Sequence, residues 1–135
     1  MFNAKSIMKT EVHVATPGDS VPKLVARMGQ DKFSGLPVVD EERSILGVIS
    51  ELDLLRAYSD ARADEPIGNL MKTDVITVSE DTMLDEIVNL FLTNGIRRVF
   101  VVHDGQLRGV ISRRDLLFSS QIRKQVSQFS VSLGA

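Results

Sequence analysis

One pattern is written twice in this chain, and that duplication limits the possible folds more than any other feature. Gly47-Val48-Ile49-Ser50-Glu51-Leu52-Asp53 recurs as Gly109-Val110-Ile111-Ser112-Arg113-Arg114-Asp115. Each copy runs on into paired leucines, Leu54-Leu55 and Leu116-Leu117. Met8-Lys9-Thr10-Glu11-Val12 recurs as Met71-Lys72-Thr73-Asp74-Val75, and Val38-Val39 as Val101-Val102, at an offset of about sixty residues. The offset slips by one residue near Asp19/Asp81 and again before Gly47/Gly109, in polar stretches where loops tolerate insertion. Two repeats make a paired module and not a solenoid.

The repeated motif has a local physical meaning. Gly-Val-Ile is the end of a buried, β-branched strand. The following Ser is a favoured helix N-cap, and the Asp three residues on lies in the first helical turn. Each copy is therefore expected to be a strand that turns into a helix, with a hydroxyl and a carboxylate at the helix mouth. Free N–H groups at such a mouth favour anions. Ser-x-x-Asp is also close to the capping box Ser-x-x-Glu and could serve the helix alone. The two roles are compatible, and duplication would preserve either.

The remaining segments give each repeat the order β-α-β-β-α. In the first, Val12-His13-Val14 is extended. Asp19 or Ser20 caps a helix with Pro22 in its first turn, an apolar face at Leu24, Val25 and Met28, and Gly29 near its end. Leu36 to Asp40 and Ile45 to Ile49 are strands around the polar turn Glu41-Ser44, and the next helix runs from Ser50 to about Ala57. In the second, Ile76-Thr77-Val78 is extended. Thr82 to Asp85 caps a helix carrying Ile87, Val88 and Phe91, closed by Asn94-Gly95. Val99 to Val102 and Leu107 to Ile111 form a hairpin across His103-Asp104-Gly105-Gln106. The last helix starts at Ser112, with a break at Ser119-Ser120, and Ser130 to Ala135 is expected to fray. The expected units are residues 1–58, a linker over 59–66, 67–120, and a helical extension and tail over 121–135. Three strands of a lone unit need a partner. The expected fold is therefore α/β, two β-α-β-β-α units packed sheet to sheet with helices outside.

Composition removes several functions. The chain has no cysteine, so disulfides, thiolate metal sites and cysteine nucleophiles are excluded. A net charge of −2 argues against bulk electrostatic binding to nucleic acid, and the absence of Trp with a single Tyr leaves little for base stacking. The two histidines, His13 and His103, make no metal constellation. Met1 to Lys5 lacks the apolar stretch of a secretory signal, which makes a cytoplasmic location the expectation.

Over roughly residues 4–120 the chain resembles a tandem pair of cystathionine-β-synthase (CBS) domains, a Bateman module. The resemblance is carried by Met8 and Met71 with Val12 and Val75, by Leu36-Pro37-Val38-Val39-Asp40, by Gly105, and by the doubled Gly-Val-Ile-Ser-x-x-Asp-Leu-Leu. It implies a regulatory ligand, an adenosine-containing molecule held in the cleft between the units. On that likeness Asp53 and Asp115 take the ribose diol, Ser50 and Ser112 lie near phosphate, and the adenine lies near His13-Val14 and Ile76-Thr77. The chemistry suits those roles, since a carboxylate accepts both ribose hydroxyls and hydroxyl groups suit phosphate oxygens.

The two halves differ in charge. Arg97-Arg98 aligns with Ser34-Gly35, and Arg113-Arg114 with Glu51-Leu52. Nucleotide-binding members of the family often carry His or Arg facing phosphate where Arg97 and Arg98 stand. Between Arg97 and Lys124 there are seven basic residues and two acidic ones. Arginine forks suit phosphate, although a solvated basic face is the plainer alternative. The expected function is a non-catalytic regulatory module binding AMP, ADP or ATP. It is expected to be a homodimer, acting on a separate effector protein by population shift. Alternatives are a sensor of S-adenosylmethionine, a ligand-free dimerisation scaffold and, least favoured, a nucleic-acid binder.

Overall fold

The duplicated motif is a strand that becomes a helix with no loop between them. The computed structural model describes residues 2–133, with side chains as far as Phe129. In chain order the elements are α1 (Ala4–Ile7), α2 (Val21–Asp31), β1 (Gly35–Val39), β2 (Ile45–Ser50), α3 (Glu51–Ser59), a 3-10 turn at Ile67–Asn69, β3 (Thr77–Ser79), α4 (Leu84–Asn94), β4 (Arg98–His103), β5 (Gln106–Ser112), α5 (Arg113–Leu117) and α6 (Ser120–Leu133). The α/β class stands, and so does the helix break between Leu117 and Ser120. The tail expected to fray from Ser130 is helical backbone to Leu133, and Gly134 and Ala135 lie outside the described residues. Among the described residues no helix is long and apolar enough to cross a membrane.

Packing groups the chain differently from sequence repetition. The segment through Val12 joins Ile76–Asp104 and the chain from Arg108, while His13–Val75 joins Gly105–Leu107. Each body has its own core.

In the body built on His13–Val75, β1 and β2 pair antiparallel, with Leu36 opposite Ile49 and Val38 opposite Gly47. α2 lays Leu24 and Met28 over this pair, and α3 adds Leu54. The extended piece expected at Val12–Val14 reaches the sheet only at Ala15, as a single parallel bridge to Val38. The reason is the turn at Pro17-Gly18, which takes the chain away again. α2 is capped by Ser20 and not by Asp19, and it passes Gly29 to end at Lys32 with φ 59°. Asp19 instead accepts from the Thr16 amide and from Lys23 Nζ, each at 3.0 Å. Ile67, just past the expected linker, is fully buried.

In the other body β3 runs parallel to β4, and β4 is hairpinned to β5. The hairpin turn has φ 51° at Asp104 and φ 78° at Gly105, the doubly left-handed turn that Asp-Gly favours. α4 buries Leu84, Ile87 and Phe91 and stops at Gly95, φ 61°. Its N-cap is Met83 with no side-chain cap, because the Thr82 hydroxyl accepts from Ser79 instead. α1 docks here through Ala4, whose amide donates to the Thr82 carbonyl at 2.8 Å.

The repeated Met-Lys-Thr segments explain the crossed grouping. Lys9 exchanges two backbone hydrogen bonds with Val110, both 2.9 Å, in the strand of the second repeat. Lys72 does the same with Val48, at 2.8 and 2.9 Å, in the strand of the first. Each segment thus lies on the other repeat's strand, at the glycine of the motif. A Cβ on Gly109 would stand 2.6 Å from Met8 Sδ and 2.9 Å from the Lys9 carbonyl oxygen. A Cβ on Gly47 would stand 2.5 Å from the Lys72 carbonyl oxygen. These glycines are required by close approach of backbone, not by turn geometry. Gly47→Ala and Gly109→Ala are each expected to lower stability by about 1–3 kcal/mol through overpacking. Gly29→Ala, in open space within α2, should raise it by roughly 0.5–1 kcal/mol. Urea denaturation of the three variants checks both signs.

Candidate functional site

Each strand–helix junction forms a complete capping box. At α3 the Ser50 amide donates to Asp53 Oδ2 at 2.8 Å, and the Asp53 amide donates to Ser50 Oγ at 3.2 Å. At α5 the Ser112 amide donates to Asp115 Oδ2 at 2.8 Å, and the Asp115 amide to Ser112 Oγ at 3.0 Å. The next amide at each mouth is also taken: Glu51 N–H donates to the Ser34 carbonyl and Arg113 N–H to the Arg97 carbonyl. The expected row of free N–H groups is therefore largely satisfied by the protein. The caps leave over the amides of Leu52 and Arg114, and the second oxygen, Oδ1, of each aspartate.

The surroundings of those two oxygens differ. Asp115 Oδ1 faces Lys9 Nζ at 3.3 Å, and the aspartate side chain is 14% exposed. It opens on a cavity of about 560 Å³ lined by Phe2, Ser6, Ile7, Lys9, Ser112, Arg114, Asp115, Phe118, Ser119 and Ser120. Small-molecule sites span about 300–1,000 Å³, so this volume suits a ligand of nucleotide size. The Arg114 guanidinium stacks over the Phe118 ring, 5.0 Å from its centroid, which holds a cation at the rim. The Ser112 hydroxyl keeps its hydrogen free of Asp115, whereas the Ser50 hydroxyl donates to Asp53 Oδ2 at 2.9 Å.

Asp53 is more deeply buried, its side chain 4% exposed, with Arg56 Nη1 3.9 Å from Oδ1. Its cavity is about 190 Å³, below the usual range for a small-molecule site. The basic groups there are Arg56, Arg62 and Lys72. Arg62 is held by Glu65 through bonds of 2.6 and 3.2 Å.

The other expected residues fall around these centres. Arg97, Arg98, Arg113, Ile76 and Thr77 belong to the same body as Asp115 but do not line its cavity. Arg98, half-buried at the start of β4, has its pKa lowered, first by burial and then by the like charge of Arg97. A guanidinium stays charged at neutral pH through such a shift. Arg97 and Arg113 are exposed. His13 and Val14 lie in the Asp53 body, outside its cavity. The His13 ring rests 4.4 Å from Phe33, and the Val14 carbonyl accepts from Arg27 at 2.9 Å. Sequence reasoning missed Phe2, Ser6 and Lys9. The repeated Lys of Met-Lys-Thr was the available signal, since Lys9 and Lys72 line the two cavities beside the two aspartates.

A CBS domain family model matches this chain twice, over residues 4–60 and 67–121. An uncharacterized 17.7 kDa protein of Acidianus ambivalens is 32% identical over 111 residues, 82% of this chain and 68% of that protein. Inosine-5'-monophosphate dehydrogenase of Methanocaldococcus jannaschii is 31% identical over 115 residues, 84% of this chain but only 23% of the enzyme. Among solved structures, that of CBSX2 in complex with AMP aligns with a TM-score of 0.82 and 27% identity, covering 92% of this chain and 99% of that one.

The cap and any second role of the motif can be measured apart. Ser50→Ala and Ser112→Ala are each expected to cost about 0.5–2 kcal/mol, and the corresponding Gly variants only a few tenths. Thermal melts of the four variants, with no nucleotide added, check this.

Proposed function

The chain belongs to the CBS-domain family, and on that premise we propose that it is a regulatory module, not an enzyme, that binds an adenine nucleotide (AMP, ADP or ATP). The carrying observation is Asp115. One of its oxygens completes the helix cap, while the other opens on a cavity of about 560 Å³ whose lining includes two cations, Lys9 and Arg114. The likeness to CBSX2, whose structure contains AMP, supports the ligand class.

On this reading Asp115 Oδ1 accepts from the ribose diol, the Ser112 hydroxyl donates to phosphate, and Arg114 neutralises it. Arg97, Arg98 and Arg113 add positive potential from the same body. Asp53 with Ser50 forms the weaker site, because its cavity is smaller and the Ser50 hydroxyl already has an acceptor. His13-Val14 and Ile76-Thr77 are the backbone stretches proposed to meet the base. Binding acts by favouring one of two conformations that an effector protein distinguishes.

We further infer a homodimer. Leu52, Leu55 and Tyr58 on α3 are 51%, 64% and 80% exposed, and Leu117 and Phe118 are 54% exposed. That much exposed apolar surface on α3 and at the end of α5, with Leu55 and Leu117 at matching places in the two repeats, suits a closed two-fold contact. Light scattering at micromolar concentration should return the mass of two chains.

Calorimetry on protein stripped of carried-over nucleotide tests the ligand. One adenine nucleotide should bind first at a single site per chain, and the Arg97→Ala/Arg98→Ala double variant should bind it more weakly. At a hundred times its dissociation constant the ligand should stabilise the protein by about 2.7 kcal/mol, a shift of a few degrees. Asp115→Ala should lose most of that shift. Asp115→Asn should keep most ligand-free stability, because its one amide oxygen can still accept from the Ser112 amide, and should still bind poorly, because the group left facing the cavity is then a donor. Equal shifts in all three proteins would reduce the motif to a cap.

A further inference from the structure

The repeated Met-Lys-Thr segment contributes to packing through its Met and its backbone, and Lys9 has a side chain left over from that task. Both backbone polar groups of Lys9 are bonded to Val110, and Met8 and the Lys9 carbonyl press on Gly109. The Cα is thus held in place. The side chain is 71% exposed, and its ammonium stands 3.3 Å from Asp115 Oδ1, the oxygen that the cap does not use. A compact cation on a flexible four-carbon stem is carried by a fixed point of the main chain.

We propose that Lys9 is the charge filter of the Asp115 cavity: its ammonium yields Oδ1 to the ligand's diol and moves to the ligand's phosphate, so the cavity takes anionic adenosine ligands and rejects cationic ones. This rests on the adenosine reading above and adds the ligand's charge to it. The ammonium and a ribose diol are both donors, and they compete for one oxygen. The lysine half of the pair is open to solvent, so water can replace the carboxylate around its ammonium when the ligand takes Oδ1. The charged groups lining the cavity are Lys9, Arg114 and Asp115, a net of one positive charge. A phosphate meets two cations. A neutral nucleoside gains the diol bonds and loses the ion pair. A sulfonium ligand releases an ammonium into a cavity that already holds a guanidinium, and is selected against by repulsion.

The other repeat shows that the device is particular to Asp115. Lys72 is held at Val48 by the same pair of backbone bonds and lines the cavity of Asp53. There the cation nearest the free oxygen is Arg56, one helical turn along the same helix, at 3.9 Å.

The test is a set of dissociation constants for AMP, adenosine and S-adenosylmethionine, measured on the full chain. Wild type should bind them in that order, AMP most tightly. Lys9→Ala should weaken AMP about tenfold, the loss of one charge-assisted contact. It should leave adenosine unchanged or tighter and improve S-adenosylmethionine. Lys9→Met, which keeps the apolar stem, should match Lys9→Ala, and Lys9→Arg should restore the preference for AMP. Lys5→Ala, which removes the same charge from the same segment away from the cavity, should match wild type. A wild type that binds AMP, with the AMP-to-adenosine ratio unchanged in Lys9→Ala and Lys9→Met, overturns the role of Lys9 alone. A wild type that binds none of the three overturns the adenosine reading and this inference together.

Discussion

Two backbone hydrogen bonds between Lys9 and Val110, with the matching pair between Lys72 and Val48, are the constraint on which the rest of this protein depends. They clip each Met-Lys-Thr segment to the strand that leads into a capped helix. The clip is possible only where the strand carries glycine, since a Cβ at Gly47 or Gly109 would overlap the incoming segment. Because the clip joins each segment to the other repeat's strand, neither repeat completes its core from its own residues. Ala4 and Ile67, both fully buried, each seal the core of the other repeat.

That arrangement also brings chemistry to the helix mouths. A capping aspartate needs one oxygen for its helix and has a second to give. Structural and ligand-binding roles therefore coexist in one side chain, each on its own atom. The clipped segment delivers a lysine to the second oxygen at Asp115 and lines the cavity with Phe2 and Ser6. The stretch that opens the chain is thereby a wall of the cavity at the motif that nearly closes it.

The repeats share the clip and the capped junction but differ in the side chains around them, and that difference is where a ligand preference would arise. Arg113-Arg114 against Glu51-Leu52 changes the charge of one mouth without touching its cap. Ser50 and Ser112 make the same cap, yet only Ser50 donates its hydroxyl hydrogen to the capping aspartate. A duplicated frame that keeps its caps leaves the remaining positions open to change.

Much of this was legible in the sequence, because it depends on neighbours along the chain. The two capping boxes, the Asp104-Gly105 hairpin turn, the stop at Gly95 and the helix break before Ser120 each follow from residues within a few positions of one another. The choice between the two expected caps of α2 was also a local competition: Ser20 took the cap while Thr16 and Lys23 occupied the Asp19 carboxylate. What the sequence could not reveal was partnership at long range. The doubled Met-Lys-Thr announced a repeat, but nothing in its letters says that each copy pairs with the opposite strand. The pairing of Lys9 with Asp115, and the contrast between a cavity of about 560 Å³ and one of about 190 Å³, depend on side chains brought together from distant parts of the chain. The two capped strand–helix junctions are written in the chain alone, since hydrogen bonds three residues apart need no tertiary context. Which residues face the oxygen that each cap leaves free follows from the folded arrangement, because close packing of remote segments sets what lies across that gap.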